Sequence, residues 1–68
     1  MKLKKGARVV YIGKRKQSTA LPVNGDEGIV ISVGGGRNKE IDTDEVVVKW
    51  DRVGEFTTYK RYVTYPAA

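Results

Sequence analysis

The chain has 68 residues, 40% hydrophobic and 31% charged, with no His, no Cys and a net charge of +5. At this length a domain buries only roughly 60% of the surface its unfolded chain exposes, which leaves little room for a deep catalytic pocket. The missing residue types remove the commonest general base, a thiolate nucleophile, a disulfide staple and the usual zinc ligands. The expectation is a binding or structural module with no catalytic residue, no cofactor and no metal.

The positive charge is uneven. Residues 1–16 hold seven basic residues (Lys2, Lys4, Lys5, Arg8, Lys14, Arg15, Lys16) and no acid, whereas the other 52 hold six basic and eight acidic residues. Such an end attracts polyanions within a Debye length of about 8 Å, and it also serves simply to keep a small domain in solution. No apolar run approaches the ~20 residues of a membrane span, and the basic start is not followed by a signal-type apolar segment. These features predict no membrane partner and, with no cysteines, a reducing, cytoplasmic setting.

Val and Ile number fourteen and Thr five, against seven for Leu, Ala and Met together, which favours strands over helices. Eight Gly and two Pro divide the chain into short segments, so residues 1–68 read as a single all-β domain of five strands, with residues 1–5 as a basic N-terminal arm. The first strand is expected over residues 7–12, with Val9 and Tyr11 on one face and Arg8, Val10 and Ile12 on the other. A long polar loop, residues 13–24, carries Lys14, Arg15 and Lys16. The second strand is expected at 28–33 and the third at 46–51, joined across the glycine-rich and acidic stretch 34–45. In the third, Val46, Val48 and Trp50 alternate against Val47 and Lys49; Trp50 reads as a core residue, with a partially exposed recognition platform as the alternative. A turn at Arg52-Val53-Gly54 leads to a fourth strand at 55–59, and residues 62–65 form a fifth.

Gly6, Val9 and Tyr11, followed by Gly25, Gly28, Val30 and Val33, resemble the glycine and valine spacing of SH3-like barrels, as found in KOW motifs and mind-bomb-type domains. Val48-Lys49-Trp50-Asp51, then Gly54 and Tyr59, resembles the tryptophan-aspartate hairpin of the mind-bomb-like group. The resemblance spans residues 6–65 and implies a small five-stranded SH3-like barrel. It departs from the KOW pattern at Ala7, where an acidic residue is usual, and in the length of the 34–44 segment.

Gly34-Gly35-Gly36-Arg37-Asn38-Lys39 lacks the Gly-Lys-Ser/Thr ending and the following helix of a phosphate loop, so it reads as a flexible hairpin loop. Asp42, Asp44 and Glu45 break the calcium-loop pattern at Val46 and read as a solvated acidic loop. Ser18 and the threonines have no His to activate them. Two basic clusters are candidate binding sites. Lys14-Arg15-Lys16 places three like charges side by side, which suits either an anionic partner or a solubilising loop tip. Tyr59-Lys60-Arg61-Tyr62 with Tyr65 interleaves aromatics and cations, as single-strand binders do. Strand alternation would pair Tyr59 with Arg61 on one face and Lys60 with Tyr62 on the other.

The expected interface comprises Lys4, Lys5, Lys14, Arg15, Lys16, Arg37, Tyr59, Lys60 and Arg61. Two partner classes stay open: nucleic acid, DNA or RNA, held chiefly through phosphates, or a protein with an acidic surface in a larger assembly. A free-standing barrel this short would suit a phage or mobile-element product.

Overall fold

A computed structural model describes residues 3–35 and 41–66. Among the described residues five strands follow one another: β1 (Arg8–Tyr11), β2 (Glu27–Val33), β3 (Glu45–Trp50), β4 (Gly54–Tyr59) and β5 (Val63–Thr64), with a short 3-10 turn at Lys60–Tyr62 before the last. All pairings are antiparallel, and the strand order is β4-β3-β2-β1-β5. The all-β, five-stranded architecture is the expected one. The sheet is not hydrogen-bonded into a closed ring, because β4 and β5 form its two edges.

Alternation explains which side chains enter the core. Val9 and Tyr11 of β1, Val30 of β2, Val46, Val48 and Trp50 of β3, and Val63 of β5 are buried together with Leu3. Burial of apolar side chains along one face of β1, β2 and β3 is what fixes their register, since a slip of one residue would turn this set towards water. Trp50 is 1% exposed and sits edge-on to Tyr11, ring centroids 5.7 Å apart, as its core assignment requires. The β2–β3 register shifts between Val30 and Ser32, an irregularity of the kind that locally bends and twists a strand.

Two glycines serve the turn into β2. Gly25 adopts φ +96°, a left-handed conformation that side chains disfavour, and a Cβ on Gly28 would lie 2.7 Å from the Lys49 carbonyl oxygen of β3. Of the expected N-terminal arm, Leu3 packs on the core, and the main chain is tied down by Gly6 N–H donating to the Val30 carbonyl.

The fifth strand differs from expectation. Residues 60–62 form a 3-10 turn, so β5 shrinks to two residues, and Ile12 N–H donates to the Tyr62 carbonyl at 2.7 Å. Three residues per turn replaces the two-residue alternation of a strand, and this changes where the Tyr and Arg side chains point.

Candidate binding groove

The long loop of residues 13–24 is held in shape from three sides. Ser18 Oγ accepts from the N–H groups of Ala20 and Leu21, at 3.2 and 2.9 Å. Asn24 N–H donates to the Arg15 carbonyl at 2.7 Å, and its side-chain amide donates to the Gly13 carbonyl at 3.2 Å. Arg52, in the β3–β4 turn, donates to the carbonyls of Ser18 and Leu21 at 2.7 and 2.9 Å and to both oxygens of Asp26. The Asp26 carboxylate also accepts from Val23 N–H at 2.8 Å. Its pKa lies below the ordinary value, chiefly because of the hydrogen bond from Arg52. Arg52 is therefore a clamp joining the hairpin turn to the loop. Neither it nor Asp26 was marked in the sequence as part of a site.

Clamped in this way, the loop faces β4 and the 3-10 turn across an open groove. Two adjoining hollows of about 340 and 320 Å³ share Tyr11, Arg15 and Tyr62 as lining. The larger is walled by Leu21 and Pro22 on the loop side and by Phe56, Thr57, Thr58 and Tyr59 along β4. Lys14 borders the smaller. Glu45 is the one carboxylate that lines either hollow among the described residues, and its side chain accepts from Asp42 N–H at 3.2 Å.

The groove is aromatic and cationic. The Arg61 guanidinium lies 4.4 Å from the Tyr59 ring centroid and 5.0 Å from that of Tyr62, while Arg15 lies 5.9 Å from that of Tyr11. Arg15 also donates to the Pro22 carbonyl at 2.9 Å. Tyr59 and Tyr62 meet edge to face at 5.8 Å. The alternation expected here is corrected by the 3-10 turn, which brings Tyr59, Arg61 and Tyr62 into one cluster instead of dividing them between faces. Arg61 has its pKa raised, chiefly by side-chain hydrogen bonding to Tyr62, so it keeps its charge throughout the working pH range.

The expected interface residues divide accordingly. Lys14, Arg15, Tyr59 and Arg61 border the groove or its aromatic cluster, and Lys16 is exposed on the same loop. Lys4 and Lys5 are exposed before β1, at the end of that strand opposite the loop. Lys60 is half-buried and structural: its ammonium donates to the Gly34 carbonyl at 2.9 Å and its N–H to the Asp44 carbonyl at 2.8 Å. Arg37 lies outside the described residues. Sequence reasoning missed Leu21, Pro22 and Phe56, because an apolar residue in a loop and one on an edge strand reveal a shared wall only once the loop has folded over.

No described helix is long and apolar enough to cross a membrane. Neither a protein-family model, nor a curated protein, nor a solved structure matches this chain, so the functional argument stands on the groove and its residues.

Proposed function

We propose that the chain is a small, non-catalytic binding module of SH3-like type, as its resemblance to KOW and mind-bomb-type domains implies, and that its groove contacts single-stranded nucleic acid. One observation carries the reading: Arg15 and Arg61 lie against tyrosine rings beside the groove, and neither forms an ion pair with a carboxylate among the described residues. Cations of this kind meet phosphates, while Tyr59 and Tyr62 offer rings for bases to stack on. Lys14 and Lys16 add charge from the clamped loop. A cytoplasmic location goes with this reading.

Fluorescence anisotropy with labelled single-stranded DNA and RNA, across a salt series, tests it. Replacing Lys14, Arg15 and Lys16 by Ala should reduce the slope of log affinity against log salt by about 0.7 per lost single-strand phosphate contact. Tyr59→Ala should weaken binding by an amount consistent with one stacked base, about 1–3 kcal/mol, and leave the slope unchanged. No binding of either nucleic acid at low salt would remove the reading.

The apolar wall of Leu21, Pro22 and Phe56 favours a second reading, a protein-interaction module that takes an extended acidic segment in the same groove. Pull-down after nuclease treatment separates the two. Retention of a specific protein with weak salt dependence would support the second.

A further inference from the structure

The two sheet edges are unequal. β5 has two residues and is followed by Pro66, a common way to blunt an edge. β4 has six, contains neither Pro nor Lys, and pairs with β3 in unbroken register from Glu45↔Tyr59 to Trp50↔Gly54. In an antiparallel ladder, alternate residues turn both main-chain groups towards the neighbour and the rest turn both away. Lys60 N–H donates to the Asp44 carbonyl, and Gly34 N–H reaches Glu45 from the β2 side, which sets the parity. Glu55, Thr57 and Tyr59 therefore direct their N–H and C=O groups outward. Glu55, Thr57 and Tyr59 are all exposed, and Thr57 and Tyr59 border the open groove.

We infer that this edge pairs with the β4 edge of a second copy of the same chain, antiparallel, about a two-fold axis that passes between the two copies of Thr57. Only that register uses all three outward residues on both sides: Thr57 faces Thr57, and Glu55 faces Tyr59 twice, giving six main-chain hydrogen bonds. Shifting it by two residues leaves four. The side chains agree with this register. Glu55 is exposed and forms no ion pair among the described residues, not even with Lys49, its cross-strand neighbour. The self-pairing sets it opposite the Tyr59 of the other copy, the ring that carries Arg61 at 4.4 Å. Each end of the seam thus sets the Glu55 carboxylate beside the Arg61 guanidinium, which is hydrogen-bonded to Tyr62; neither group has an ion-pair partner among the described residues, and no like charges are opposed. The surface is self-complementary in hydrogen bonding and in charge, as a two-fold interface must be.

The chain has no cysteine, so single-cysteine variants test the register directly. Directly opposed Cα atoms of a hydrogen-bonded pair lie about 5.5 Å apart, within disulfide range, whereas residues 55 and 59 stand roughly 13 Å from their own copies. Under mild oxidation Thr57→Cys should form a covalent dimer on a non-reducing gel much faster than Glu55→Cys or Tyr59→Cys. Sedimentation velocity of the unmodified chain over a concentration series should show a weak monomer–dimer equilibrium. Glu55→Lys should weaken it about tenfold or more by opposing Arg61, and Glu55→Lys combined with Arg61→Glu should restore it. Thr57→Pro, which removes an N–H that β3 does not use, should abolish it while the circular dichroism spectrum stays that of the folded chain. A chain that remains monomeric at its highest soluble concentration would overturn the proposal. So would equal crosslinking at the three positions, or capture of a different protein's strand at this edge in place of a second copy.

Discussion

Four arginines among the described residues form two contrasting pairs. Arg8 and Arg52 meet carboxylates: Arg8 bonds Glu27 at 2.9 Å and Asp51 at 2.5 Å, and Arg52 grips Asp26 together with two loop carbonyls. Arg15 and Arg61 lie on tyrosine rings beside the groove and pair with no described carboxylate. The first pair has its charge cancelled within the fold, and the second keeps it available for an anionic partner. A net charge is thus a poor guide to an interface, because which cations are already paired decides the field that a partner meets.

The largest expected effect erases both regions together. Trp50→Ala should cost about 3–5 kcal/mol, comparable with the roughly 3–10 kcal/mol that a domain of this size possesses, so the chain should be largely unfolded by circular dichroism at room temperature. Survival of a cooperative melt near that of the parent would mean that Trp50 is not the anchor of the shared core.

Arg52→Ala should separate the regions. It releases the 13–24 loop from the hairpin turn, and the melting temperature should fall by roughly 5–10 °C. Amide exchange should quicken in the loop far more than in β1 to β3, and groove binding should weaken with it. The same clamp sets a pH dependence. Asp26 has its pKa below the ordinary 3.8, so its stabilising contribution is complete above that value and is lost as pH falls through the lower, folded-state value. Asp26→Asn should flatten the acid limb of the stability curve measured by urea unfolding below about pH 4.

Much of the frame was legible in the sequence, and for a definite reason. In β1 and β3 the alternation of Val9 and Tyr11, and of Val46, Val48 and Trp50, is a local signal that needs no knowledge of the partner strand. The paired arginines were not legible, since the contact from Arg52 to Ser18 spans 34 residues and depends on a turn closing first. Lys60 looked like an interface cation beside its tyrosines, yet its carbonyl partner is Gly34, 26 residues away. The 3-10 turn at Lys60–Tyr62 is too short to leave a periodic trace, so that Tyr62 joins Tyr59 and Arg61 emerged only with the backbone.

Arg8→Ala is the smallest of these effects and the sharpest test of the contrast. Its ion pairs are close, but the Arg8 side chain is 45% exposed and its partners 46% and 56%. Exposed pairs gain little over hydrated, separated charges and are screened by salt, so the melting temperature should move by a few degrees at most and less at high salt. Arg52 has a carboxylate partner only 14% exposed and two main-chain carbonyls besides, all of which lose a donor when it is removed. Neither ion pair of Arg8 borders the groove, and Arg8→Ala leaves Glu27 and Asp51 uncompensated at a distance from it, so nucleic-acid affinity should fall only slightly. Equal destabilisation by Arg8→Ala and Arg52→Ala would show that the carboxylate contact alone, and not the grip on the loop, is what stabilises the fold.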